Sequence, residues 1–186
     1  MIRSFLVIAV LFSSPAFSEV SFERLAAISE TPDSLEGRFV QEKYLKVLEA
    51  GLVSSGVFSY KKGEHLRWET LEPISNKLVL TPTSVVTKQD EKELVALPAG
   101  ASTVTSVLSE ILFSVLTANW NNLSKYFELS GDVDNGSWRV ELLPTDVTIA
   151  AAISKIELSG ETLLQKIILY EKQGDSTTIE FFDQQQ

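Results

Sequence analysis

The side chains that usually carry chemistry are scarce in this chain of 186 residues, which has one histidine and no cysteine. His65 would have to serve any histidine-based triad or acid–base mechanism. It follows the turn-forming stretch Lys62-Gly63-Glu64, a setting for a solvated strand residue. A zinc site needs several nitrogen or sulfur ligands and has only that ring to draw on. No Gly-x-Ser-x-Gly elbow, phosphate-cradling loop or His-Glu-x-x-His pattern occurs. Asp132 and Asp134 sit beside a turn and read as turn chemistry, with a weak calcium site as the sharper alternative. Asn122-Leu123-Ser124 and Asn135-Gly136-Ser137 fit the glycosylation sequon, which matters only in a eukaryotic host. Carboxylate-only glycosidases need no histidine, and the one carboxylate that could act in a cleft on the central helix is Glu110.

What the chain has in quantity is apolar surface. Val104, Val107, Leu108, Ile111, Leu112, Val115 and Leu116 recur at the spacing that aligns one face of an α-helix. The other face is small and nearly uncharged: Thr105, Ser106, Ser109, Ser114 and Thr117, with Phe113 and the single charge of Glu110. A helix lying on bulk water carries more charge than this, so much of its circumference is expected to be covered. Two readings stay open, a core helix on a sheet and a lid over an apolar cavity. Large strand residues such as Phe39, Phe58, Tyr60, Leu66, Trp68, Leu78 and Leu80 would either meet that helix or face it across a space. Moving an acyl chain out of water gains about 0.8 kcal/mol per methylene, so a greasy ligand is energetically feasible.

The elements around this helix are expected to be mostly strands. Ser21 can cap a short first helix bearing Phe22, Leu25, Ala26 and Ile28. Leu35–Val47 reads as a long strand with two registers, Leu35, Gly37, Phe39 and Gln41 on one face or Arg38, Val40, Glu42 and Tyr44 on the other. Gly51–Lys61, His65–Leu71, Lys77–Leu80, Ser84–Lys88 and Glu93–Leu97 follow, with Pro73 stopping one ladder and turns at Thr81-Pro82 and Asp90-Glu91. After the helix, Ala118-Asn119 breaks the stripe before a second piece over Trp120–Tyr126. Five strands then close the chain: Phe127–Asp132, Ser137–Leu143, Ile153–Leu158, Leu163–Glu171 and Thr177–Phe182. Asp134-Asn135-Gly136 is the strongest hairpin signal among them. About eleven strands and three helices predict a mainly β, α+β architecture, one curved antiparallel sheet with helices on its concave side. Gln184–Gln186 reads as a frayed tail.

Length and charge set the outer limits. The size suits one domain with a real core. Met1-Ile2-Arg3, the apolar run Phe5–Phe12 and the small residues before Glu19 describe a secretory signal peptide cut after Ser18, leaving a single domain over 19–186. That run is too short to span a bilayer. An exported chain without cysteine must be held together by burial rather than disulfides. Losing Arg3 with the signal takes the formal net charge from −9 to −10. Such acidity disfavours nucleic acid and anionic lipid surfaces and suits a basic patch on a partner protein.

Phe39-Val40-Gln41, Gly56-Val57-Phe58-Ser59-Tyr60-Lys61-Lys62, Leu66-Arg67-Trp68 and Pro73 occur in an order and spacing that resembles the periplasmic outer-membrane lipoprotein carrier family, LolA. The likeness continues through Trp138–Pro144 and Gly174–Phe181. The Ile153–Phe181 portion is similar to the divergent branch found in aryl polyene gene clusters, presumed to carry other lipid-like cargo. The resemblance implies an incomplete antiparallel β-barrel with helices forming a lid over a hydrophobic cavity, in the periplasm of a Gram-negative cell. It implies a monomeric, non-enzymatic carrier without nucleotide, metal or other cofactor. Its partners would be a lipoprotein or lipid-like cargo, an inner-membrane ABC or other exporter and an outer-membrane receptor. On this resemblance and the helix stripe, Phe39, Phe58, Leu66 and Trp68 form the cavity floor, and Val104, Leu108, Ile111, Leu112 and Val115 the underside of the lid. Lys62 stands where the family's lid-gating arginine is expected, and lysine lacks that residue's planar fork. Two other classes remain beside the carrier: a non-carrying periplasmic adaptor for a membrane protein, and an acyl or glycosidic hydrolase using Glu110.

Overall fold

The computed structural model describes residues 20–30, 32–81, 85–89, 92–97, 103–116 and 119–186. The expected signal peptide over 1–18 and the turns at Pro82 and at Asp90-Glu91 lie outside the described residues. The first described element is α1 (Phe22–Ile28), whose N-cap Ser21 accepts a hydrogen bond from the Arg24 amide at 3.2 Å. Six strands follow: β1 (Ser34–Leu45), β2 (Ala50–Lys61), β3 (His65–Glu72), β4 (Asn76–Leu80), β5 (Val85–Gln89) and β6 (Lys92–Leu97). The helices α2 (Thr103–Leu116) and α3 (Trp120–Leu123) lead into β7 (Phe127–Asp134) and β8 (Ser137–Pro144). A further helix, α4 (Val147–Ala152), precedes β9 (Ile153–Gly160), β10 (Leu164–Glu171) and β11 (Ser176–Gln185).

All eleven described strands form one antiparallel sheet in the order β6-β5-β4-β3-β2-β1-β11-β10-β9-β8-β7. Every pairing but one joins strands that are neighbours in sequence, most of them through a short turn and β8–β9 through α4. The exception is β1 with β11, which sets Phe39 opposite Phe181 and Gln41 opposite Ile179 and welds the two ends of the chain. β6 and β7 are the two edges of an open sheet, and α2 and α3 connect them. This is the expected incomplete barrel.

Register decides which residues are inside. Leu35 and Phe39 of β1 are buried while Arg38 and Val40 are exposed, so the first of the two expected registers is the inner one. The same alternation buries Phe58 and Tyr60 on β2, Ile156 and Leu158 on β9, and Ile167 and Leu169 on β10. The outer face carries charge ladders instead. Lys155 bridges Glu157 at 2.7 Å and Glu141 at 2.9 Å, and Lys166 meets Glu180 at 2.7 Å. The hydrogen bonds that the Lys155 ammonium donates to Glu157 and then to Glu141 hold it above its ordinary range.

Three expectations are corrected. The chain has a helix at Val147–Ala152 that periodicity does not reveal, capped by the Asp146 carboxylate, which accepts from the Thr148 and Ile149 amides. The glutamine tail is ordered: β11 reaches Gln185, which pairs opposite Glu36, and the Gln184 side-chain amide donates to the Leu164 carbonyl at 2.8 Å. A bulge at Asp183, in the left-handed region at φ 50, takes up the extra residue and keeps the strand in the ladder. The second helical piece is one turn, Trp120–Leu123, rather than a run to Tyr126.

Candidate apolar binding site

Two short sequence patterns build the floor. Gly37-x-Phe39 on β1 and Gly56-x-Phe58 on β2 run antiparallel, so Phe39 pairs with Gly56 and Phe58 with Gly37. Each ring therefore lies over the partner strand's glycine. A methyl group on Gly37 would come within 2.8 Å of the Phe58 ring, and one on Gly56 within 2.8 Å of Phe39 Cζ and into the Glu69 carbonyl oxygen. The glycines are needed for space, and they let the two rings lie down on the sheet. Trp68, opposite Phe58 on β3, stacks on Phe39 with centroids 3.8 Å apart. Phe181 closes the cluster edge-on, 5.4 Å from Phe58 and 6.1 Å from Trp68.

Of the expected floor residues, Phe39, Phe58 and Leu66 are buried and Trp68 is partly exposed. Phe181 is a fourth member of the aromatic group that sequence reading did not single out. Its signal was the alternation of Ile179 with Phe181, but its neighbour across the sheet comes from a strand some 140 residues earlier.

α2 packs against α3 and α4 and shares the hydrophobic core with the sheet. Ile111, Leu112 and Val115 are buried, as is Val107 from the same stripe. Val104 and Leu108 belong to this helix by position, with side chains outside the described residues. Phe113 reaches Tyr60 of β2 edge-on at 6.4 Å, which ties the helix to the floor beside Leu66. Farther along, Trp120 of α3 packs edge-on against Trp138 of β8 at 5.4 Å and donates its indole N–H to the Ser29 hydroxyl. The covering helices thus sit on both halves of the sheet and share one hydrophobic core with it.

Several charged groups near this region have structural partners. Glu110 accepts a hydrogen bond from the Asn122 side-chain amide, linking α2 to α3. Lys62 lies in the β2–β3 turn, more than half exposed, with its ammonium 3.6 Å from the Asp33 carboxylate and its backbone N–H donating to the Asp33 carbonyl. That pins the turn to the α1–β1 link. His65 opens β3 opposite Lys61. No group of three or more potential metal-binding side chains occurs among the described residues. On the outer face a groove of about 480 Å³ is lined by residues including Arg38, Val57, Arg67, Glu69 and Asp183. Its charges are mixed, and Arg38 is paired with Asp183 at 3.4 Å.

An open antiparallel half-barrel whose inner face is apolar and covered by helices defines a class of fold built around what lies between sheet and helices. A family model for the outer membrane lipoprotein carrier protein LolA matches residues 30–186. The chain belongs to the LolA family. Among solved structures it is similar to the LolA superfamily protein NE2245 of Nitrosomonas europaea, at 12% identity and TM-score 0.51 over 88% of this chain and 90% of that one. It is also similar to a chain in the Pseudomonas aeruginosa MucA/MucB complex, at 14% identity and TM-score 0.50 over 88% of this chain and 55% of that one. At such identities the likeness establishes the fold alone. No curated protein matches the chain in sequence. Among the described residues no helix is long and apolar enough to cross a membrane.

Proposed function

We propose that this protein is a periplasmic carrier that shelters the acyl chains of a lipoprotein or other lipid-like cargo between α2 and the inner face of β1–β3, and carries it from the inner to the outer membrane. The observation that bears most weight is the pairing of an aromatic floor, Phe39, Phe58, Trp68 and Phe181, with a covering helix whose described buried residues are apolar apart from Ser114. In the closed form these groups satisfy one another. An acyl chain replaces the helix side chains at similar free energy, since both are hydrocarbon taken out of water. Loading therefore requires α2 to move away from the floor. Family membership supports the same reading, and an exported protein receiving cargo from an exporter and delivering it to a receptor fits the expected signal peptide. In this reading Lys62, paired with Asp33, influences that motion through the β2–β3 turn.

Titration with a fluorescent acyl-chain probe tests this. Saturable binding that Trp68→Ala weakens at least tenfold, with an unchanged far-ultraviolet spectrum, supports the carrier; an unsaturable or absent signal opposes it. The mutual packing of floor and helix favours one second reading, a non-carrying adaptor whose interior stays filled. It predicts no probe uptake by a folded protein.

A further inference from the structure

Two buried side-chain polar atoms among the described residues lack a hydrogen-bond partner, the Gln184 amide oxygen on β11 and the Tyr60 hydroxyl in the apolar interior. Tyr60 is only 2% exposed, and its hydroxyl is buried without a hydrogen-bond partner among the described residues. A buried hydroxyl left unsatisfied is costly, and phenylalanine would fill the same volume without that cost. The cross-strand neighbours of Tyr60 are Leu35 and Leu66, both fully buried, and its ring meets Phe113 of α2 edge-on. From Tyr60 the inner positions of β2 run through Phe58 to Gly56 with the Phe39 ring above it, about 13 Å along the strand. Toward the other end, two residues on, Lys62 and Asp33 form their exposed ion pair. Tyr60 thus stands where the apolar interior gives way to polar rim, under the helix that must move for loading.

We infer that Tyr60 anchors the cargo, its hydroxyl donating a hydrogen bond to the carbonyl oxygen of an ester- or amide-linked acyl chain whose hydrocarbon lies along Phe58 and Phe39. This rests on the carrier reading and adds a chemical preference to it. Burial, and then the neighbouring Asp33 carboxylate, push the phenol above its ordinary range, so the group is held as a neutral donor. The same surroundings disfavour an anion, so a neutral ester or amide is preferred over a free fatty-acid carboxylate.

Competition against a fluorescent reporter, using octadecane, methyl palmitate and palmitate with wild type and Tyr60→Phe, tests the assignment. The wild type should bind methyl palmitate better than palmitate. Tyr60→Phe should weaken methyl palmitate roughly three- to tenfold, the worth of one net hydrogen bond, and leave octadecane within about twofold. Unchanged methyl palmitate affinity in Tyr60→Phe, with octadecane still bound, overturns the anchor alone. An equal loss for both ligands also overturns it, because the ring's packing would then be the cause. No displacement by octadecane from the wild type overturns the carrier reading itself, and the anchor with it.

Discussion

At the scale of single residues, the glycine-under-aromatic pairs explain how four large rings share one patch of sheet. Gly56→Ala should destabilise by about 1–3 kcal/mol, the cost of forcing a methyl into a packed interior, as read from denaturant midpoints. Phe39→Ala removes a buried ring and should cost about 3–5 kcal/mol. A double-mutant cycle with Trp68→Ala should return a coupling of about 0.5–1.5 kcal/mol for the stacked pair. Tyr60 gives a pH signature. Its folded pKa lies above the ordinary 10.0, so above about pH 10 the unfolded chain binds fewer protons and stability falls as pH rises. Lys155 adds the same sign, with its loss beginning above its ordinary 10.5. Tyr60→Phe should make the alkaline decline shallower in urea titrations at successive pH values, and leave the curve below pH 9 parallel to wild type. The Gly-x-Phe repeat was present in the sequence all along, but its meaning needed the antiparallel register that lays each ring over the opposite glycine.

Among the elements, α2 is the one whose ties matter most. The Glu110–Asn122 hydrogen bond fastens it to α3. Glu110→Ala should cost about 1 kcal/mol or less in stability while leaving acyl-probe binding intact; loss of a hydrolytic activity on that substitution would instead support an enzyme. The amphipathic stripe made α2 legible, as Asn135-Gly136 did for the β7–β8 hairpin, where both residues take positive φ, 49 and 87. α4 was not legible because Val147, Thr148 and Ile149 are β-branched and six residues are too few for a period to show. Its one signal was Asp146 as N-cap after Pro144, and Asp146→Ala should cost about 1 kcal/mol. The partner of Lys62 was equally hidden, since Asp33 belongs to a link whose course is fixed only by the β1–β2 pairing.

For the whole molecule, sequence alternation and turn residues sufficed to count the strands, because each hairpin is a local decision. They could not reveal the β1–β11 pairing that brings Phe181 onto Phe39, nor the ordered C-terminal strand that follows from it. That non-local seam turns two meanders into one curved sheet with two free edges, and leaves the helices to span the opening. A carrier needs such a frame: a sheet held by many backbone pairings and a cover held mainly by side-chain contacts that cargo can replace. The most direct test is mass spectrometry of organic extracts from protein purified gently from its native host with cargo synthesis running, beside Ile111→Glu, with both shown to be folded. Ile111 is fully buried on the underside of α2, and a carboxylate there repels hydrocarbon. Acylated cargo on the wild type and its loss from Ile111→Glu is the predicted result. Clean, folded wild-type protein that carries nothing would contradict the account.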